Sequence, residues 1–276
     1  GVSVFEDDAG KRIGGTAGNV IAVVRGNIPA PHLMLVAHMD TVQPGTGKKP
    51  VINGEYIVSG SSTILGADDV SGVECILETL RVLEEKNIPH GDITVVFTVA
   101  EEIGLQGAKA LDFSGIGARY AFVLDHGGPI GSVVVKSPYQ NRINVEIIGK
   151  AAHAGAMPEA GINAIAVAAD AISRIRQGRI DEETTANIGV ISGGTATNIV
   201  CDKVIIKAEA RSRNELKLIE QTKHMQDCFI SSADKYGARA EFDIGREYDG
   251  FSIPEDDEIL SVIKKAGINK GIEPDF

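Results

Sequence analysis

Cysteine is scarce: Cys75, Cys201 and Cys228 are the three in a chain of 276 residues. They are odd in number and have no metal or redox spacing. Each falls in a helix or strand pattern, so buried free thiols are expected, as in a reducing cytosol. No apolar run is long enough to span a membrane, and the start carries no signal-peptide pattern. Positive charge is in deficit, with 27 Lys and Arg against 38 Asp and Glu and a net charge of −11. That balance argues against nucleic acid and anionic membrane as partners. Internal repeats and low-complexity segments are absent. What remains is the composition of a globular protein, 43% hydrophobic and 24% charged, long enough for one large domain or two ordinary ones.

The most informative stretch is Val36-Ala37-His38-Met39-Asp40-Thr41-Val42. The apolar run Leu33 to Ala37 reads as a buried strand, and the 2-residue period puts His38 and Asp40 on one side of its C-terminal end. Ligands bind at that end in open α/β sheets. Strands are also expected over Asn19 to Val24, Tyr56 to Ser59, Ile93 to Val99 and Tyr120 to Leu124. Val42 to Gly54 reads as a Gly/Pro/Lys loop. A helix opens at Asp68-Asp69 and presents Val73, Ile76, Leu77, Leu80 and Leu83 on one face. A short helix covers Leu105 to Leu111. Strands alternating with helices argue for a mostly parallel α/β sheet.

The pattern changes near Ile130. Strands over Asn141 to Ile148, Thr185 to Ile191, Val204 to Ala210 and Ala238 to Ile244 alternate with helices over Asn163 to Ile175 and Glu215 to Tyr236. Strand, helix, strand, strand, helix, strand is the order of a ferredoxin-like α+β unit. The expected architecture is therefore α/β: a first domain built on a mixed, mostly parallel sheet, with a second, ferredoxin-like α+β domain inserted in it. The expected boundaries are 1–131, 132–250 and a return to the first domain over 251–276, with a helix over Glu255 to Ala266.

Acidic residues recur where these strands end. They are Asp40 beside His38, Glu101-Glu102 and Asp125, with Asp68-Asp69 at a helix start. Each alone has a plain reading, as a cap, a solvated turn or the start of a Gly-rich turn. Together, acids converging on one crevice repel one another unless cations bind there. One His with several carboxylates suits a divalent site, with Zn²⁺ leading and Mn²⁺ or Co²⁺ as alternatives. Two metals sharing a carboxylate could activate a water and polarise a carbonyl, and a Glu that binds no metal could act as base.

The stretches Ala37-His38-Met39-Asp40-Thr41-Val42, Leu65-Gly66-Ala67-Asp68-Asp69, Glu101-Glu102-Ile103-Gly104-Leu105 and Leu124-Asp125 resemble the peptidase T-like branch of the co-catalytic dizinc exopeptidases. So do Ala151-Ala152-His153-Ala154-Gly155, Gly193-Gly194-Thr195-Ala196-Thr197-Asn198-Ile199-Val200 and Glu209-Ala210-Arg211-Ser212. The resemblance implies that His38, Asp68 and Asp125 hold one metal and that Asp68 and Glu102 hold a second. It implies Glu101 as general base and Asp40 as the residue that orients His38. It implies that His153 reaches the partner subunit's active site to steady an oxyanion, and that Asn198 and Arg211 contact the substrate's backbone or carboxylate. An Arg fork suits a carboxylate, although a surface ion pair is the plainer role for it. The resemblance also implies that the first domain is catalytic, that the inserted one is a lid or dimerisation domain through which a homodimer forms, and that the substrate is a short peptide.

Two expected family parts have no counterpart in the sequence: a helix before the first strand, and a later segment bearing a second metal-binding histidine. None of His32, His90, His126 or His224 stands at that position. The expectation is a segment of a longer enzyme, less stable than its parent and of doubtful activity by itself. The expected activity is removal of the N-terminal residue of tripeptides by a cytoplasmic metallopeptidase. Amide hydrolysis of N-acyl amino acids, carboxypeptidase action and a non-catalytic peptide-binding or dimerisation module are the alternatives.

Overall fold

The computed structural model describes residues 1–276. The chain forms two compact units, Gly1–Val133 with Ser261–Asp275, and Val134–Leu260. The first contains β1 (Val2–Glu6), α1 (Ala9–Ile13), β2 (Val20–Val24), β3 (Leu33–His38), β4 (Pro50–Asn53), β5 (Tyr56–Ser59), α2 (Ala67–Glu85), β6 (Ile93–Thr98), α3 (Gln106–Ala110) and β7 (Tyr120–Val123). Its main sheet has the order β1-β2-β6-β3-β7. The β1-β2-β6 side is antiparallel, and β6-β3-β7 is parallel.

The 2-residue period of β6 and β3 turns Ile93, Val95 and Phe97 and Leu35 and Ala37 to one face. That face is covered by α2, whose stripe Val73, Ile76, Leu80 and Leu83 follows the 3.6-residue period around a fully buried Ile76. Leu77 departs from the expected stripe and is 49% exposed. At one residue beyond Ile76 it has rotated about 100° away from the sheet. Cys75, expected buried, is exposed for the same reason.

Two features escaped the sequence. β1 and α1 occupy the start, where no element was expected. All five residues of β1 are exposed, so its pairing with β2 rests on backbone hydrogen bonds and left no buried stripe to detect. Within the expected Val42–Gly54 loop, β4 pairs with β5 around Gly54. Its Pro50 is the first residue of the strand, a place where a missing N–H is tolerated.

The second unit contains β8 (Lys136–Ser137), β9 (Tyr139–Ile148), α4 (Ala164–Ile172), β10 (Gly178–Arg179), β11 (Thr184–Gly193), β12 (Lys203–Ser212), α5 (Glu215–Tyr236), β13 (Arg239–Tyr248) and β14 (Phe251–Ser252). A final helix, α6 (Glu258–Ile268), follows. The sheet order β10-β11-β12-β9-β13 is antiparallel throughout and matches the ferredoxin-like unit. Alternate residues Ile143, Val145 and Ile147 of β9 and Val204, Ile206, Ala208 and Ala210 of β12 are buried in one core with Val167 and Ala171 of α4 and Leu218, Met225 and Phe229 of α5. Asn163 and Asn214 cap α4 and α5 by accepting from two backbone N–H groups each. β14 pairs with β8, which keeps Phe251–Ser252 in this unit.

Candidate metal centre

The parallel order β6-β3-β7 brings three strand C-termini to one edge of the first sheet. β3 ends in His38, the chain after β6 runs to Glu101-Glu102, and β7 is followed by Leu124 and Asp125. Backbone bonds continue the ladder past the strands, from Met39 N–H to Thr98 O and from Leu124 N–H to Val36 O. The acids are thus delivered by the sheet itself.

His38 is the hub. It is 2% exposed. Nδ1 lies 2.8 Å from the backbone oxygen of Asp40, which places a proton on Nδ1. Nε2 lies 2.9 Å from Asp68 Oδ1, 3.8 Å from Asp125 Oδ1 and 3.9 Å from Glu101 Oε2. Burial works against a charged ring, but the hydrogen bond donated to Asp68 and the negative charge of Asp125 and Glu101 prevail and raise its pKa. Burial and neighbouring acids also raise the carboxyls of Glu101 and Asp69, against the lowering pull of His38, and push Asp125 up to about 6. These acids lack a cation: the ion pairs of Asp40, Asp68, Glu101 and Asp125 run to His38 alone.

Donor atoms of His38, Glu101 and Glu102 lie within 4.8 Å of one another, as do those of His38, Asp69 and Asp125. One imidazole nitrogen among carboxylate oxygens fits a borderline or hard divalent cation. The two acids of the Asp68-Asp69 pair differ sharply. Asp69 is 2% exposed, and its oxygens accept from His38 N–H at 3.1 Å and Gly72 N–H at 3.0 Å. It caps the regular part of α2, since Asp68 and Asp69 themselves have non-helical backbone angles. Asp68 is 72% exposed and turns its oxygen to His38 Nε2. Proximity counts Asp69 in the cluster, but two backbone amides already use its carboxylate, and Asp68 has the open oxygens.

Asp40 does more than orient His38. Its Oδ1 accepts from Glu101 N–H at 3.0 Å and its Oδ2 from Glu102 N–H at 3.2 Å. It therefore builds the turn that carries both glutamates, and its carboxylate is 3.5 Å from His38 Nδ1. Ala100, just before this turn, has φ +55, a left-handed conformation disfavoured for a residue with a Cβ. A second brace, unsuspected from sequence, is the fully buried Asn19. Its amide donates to Gly107 O at 2.9 Å and to Asp7, and accepts from Val99 N–H at 3.1 Å. An Asn at the start of an apolar strand was the one available signal.

In the second unit, His153 is exposed, and its Nδ1 accepts from Gly155 N–H at 3.2 Å and Ala156 N–H at 3.1 Å. The ring proton of the neutral form is thereby held on Nε2, which is left as a donor. Ala154 N–H donates to Asn198 O at 3.0 Å, so the loops bearing His153 and Asn198 are joined. Arg211 Nε and Nη2 form a fork with Glu209 at 2.9 Å each, and Gln140 donates to the same carboxylate at 2.7 Å. Only the Nη1 side of the guanidinium is left for another acceptor.

Comparison with known proteins places these features in a family. Residues 141–237 match the Peptidase dimerisation domain of the M20 peptidases, and residues 19–153 match Peptidase family M28. An uncharacterised Bacillus subtilis protein is 47% identical over 271 residues, covering 98% of this chain and 73% of its own. The crystal structure of aminopeptidase PepT from Bacillus cereus aligns at TM-score 0.93 with 47% identity, over 99% of this chain and 74% of that one. That of a tripeptidase from Staphylococcus aureus aligns at TM-score 0.94 with 43% identity, over 99% and 73%. With parallel strand ends bearing the acids and an M20-type dimerisation unit following them, the chain belongs to the peptidase T-like branch of the M20 metallopeptidases.

Proposed function

We propose that the chain hydrolyses short peptides, removing the N-terminal residue of tripeptides, at a two-cation centre on the edge of the first sheet. The observation that carries this reading is the convergence of Asp68, Glu101 and Asp125 on one buried imidazole with no basic side chain to balance them. His38, Asp68 and Asp125 would hold one cation, and Asp68 with Glu102 the other, with Zn²⁺ the best match to the donors. Bound cations would supply the positive charge that polarises the scissile carbonyl and lets a water lose its proton near neutral pH.

The remaining chemistry belongs to side chains. Glu101 takes the proton of the attacking water on its carboxylate and delivers it to the leaving amine nitrogen. Asp40 holds Glu101 and Glu102 in place through their backbone amides and keeps His38 Nδ1 protonated through its own carbonyl. His153 would reach the active site of the partner subunit and donate there from Nε2 to the oxygen that gains negative charge. Asn198 would hold the peptide backbone, and Arg211 would meet the C-terminal carboxylate with its Nη1 side while Glu209 fixes its plane. A homodimer through the second unit and a cytoplasmic location complete the reading; no helix is long and apolar enough to cross a membrane.

The test is hydrolysis of tripeptides against N-acetyl amino acids, with zinc supplied. Release of free N-terminal residues from tripeptides is the expected result. Cleavage confined to N-acetyl amino acids would move the reading to an amidohydrolase. Peptide binding that persists without metal, and without turnover, would replace it with a binding module.

A further inference from the structure

Lys48 lies in the loop between β3 and β4, where a lysine would ordinarily extend into water. Here it is half-buried and folds back over the loop. Its Nζ donates to Thr41 Oγ1 at 2.9 Å. Its stem passes over Gly66, where an added Cβ would lie 2.4 Å from Nζ and 3.0 Å from Cε. Gly45 flanks it on another side, where an added Cβ would lie 3.4 Å from Cε. Gly66 has φ +80, so this position is doubly reserved for glycine. Thr41 follows Asp40 directly, and Gly66 stands two residues before Asp68. One ammonium group therefore lies against two of the chain segments that bring carboxylates to His38, those of Asp40 and Asp68.

We propose that Lys48 is a positioning residue, a clasp that fixes the Asp40 segment against the Asp68 segment and so sets the affinity of the centre for its cations. The inference rests on the two-cation reading of the cluster. Asp68 is largely exposed and has one bond, to His38, to hold it. Asp40 is anchored through Glu101 and Glu102. The clasp restrains the loosely held ligand by tying its segment to the firmly held one. Outer contacts of this kind typically change metal affinity 10- to 100-fold, by fixing ligand orientation.

The experiment compares Lys48→Met, Thr41→Val, Thr41→Ser and the Lys48→Met/Thr41→Val double variant with the unmodified chain. Zinc affinity is read by calorimetric titration, and hydrogen exchange is read over residues 38–69 of the metal-free protein. Lys48→Met keeps the apolar stem, and Thr41→Ser keeps the accepting hydroxyl. The expected result is a 10- to 100-fold loss of zinc affinity and faster exchange in that segment for Lys48→Met and for Thr41→Val. Thr41→Ser should behave as wild type. The double variant should be no worse than the weaker single one, because both remove the same bond. Unchanged affinity and exchange in both single variants would overturn the proposal. So would faster exchange with unchanged affinity, or a raised KM with unchanged affinity, which would assign Lys48 to the substrate. Should the unmodified chain take up no zinc, the two-cation reading fails by itself, and unchanged exchange would still refute the clasp. If Lys48→Met does not fold, the Thr41 pair decides.

Discussion

The two units place their buried polar groups differently. In the second, one apolar core runs from β9 and β12 to α4 and α5, with Phe229, Ile143, Ile147, Ile206, Leu218 and Met225 fully buried. In the first, the core beneath α2 is Ala37, Ile76, Ile93 and Val95, and the ionisable His38 and Asp69 are buried with Asn19, whereas the buried polar groups of the second unit, such as Thr184, Ser212, Gln221 and Ser232, are neutral. The second unit reads as packing, and the first as a scaffold that gives up apolar burial to hold charge. Left-handed backbone at Ala100 and raised carboxyl pKa values gather at the same edge, as expected where local stability yields to chemistry.

Substitutions should separate the two regimes. The largest effect is expected from Glu101→Gln, which removes the proposed base and should lower turnover by about 100- to 10,000-fold while zinc uptake and the melting curve stay near wild type. Near-normal turnover would remove Glu101 from that role. In the second unit, Phe229→Ala should cost about 3–5 kcal/mol in urea unfolding, from lost burial and the cavity left behind. Ile76→Ala in the first should cost about 2–5 kcal/mol. If Phe229→Ala costs less than Ile76→Ala, the assignment of the denser core to the second unit is wrong.

A pH series sharpens the contrast. Asp125, Glu101 and Asp69 have folded-state pKa values above those of an unfolded chain, and so does His38. For each, the folded state binds the proton more tightly. Their contribution to stability is therefore greatest at low pH and is lost as pH rises through the folded values, near 6 for Asp125. Carboxylates with lowered values, such as Asp181 at about 2, are ionised throughout this range and do not oppose the trend. Metal-free protein should thus melt lower at pH 7.5 than at pH 5.5, and zinc should reverse the difference at pH 7.5. A melting temperature that rises over this interval without metal would contradict the charge assignment. The smallest effect is expected at the α5 cap, where Asn214→Ala should cost about 0.5–2 kcal/mol without changing zinc affinity.

Much of this was legible in the sequence because period and strand ends are local signals. The alternation in β9 and β12, the runs of β3 and β6, and the acids closing them fixed where the elements lie and which side chains meet. What escaped depended on contacts distant in sequence. Asn19 braces a turn some 80 residues away through Val99 N–H. Asp68 and Asp69 look alike in sequence, yet backbone amides claim one and leave the other open. For Arg211 the sequence left a substrate carboxylate and a surface ion pair open, and Glu209, two residues earlier on the same face of β12, takes one edge of its fork. β1 has no buried face, so no pattern announced it.

The most direct test of the account is calorimetric titration of the metal-free chain with zinc, alongside His38→Ala and Asp68→Ala. The account expects tight uptake with release of protons at pH 6, and loss of that uptake in both variants. No uptake by the unmodified chain, or uptake indifferent to both substitutions, would contradict the claim that the acids at these strand ends form a metal centre.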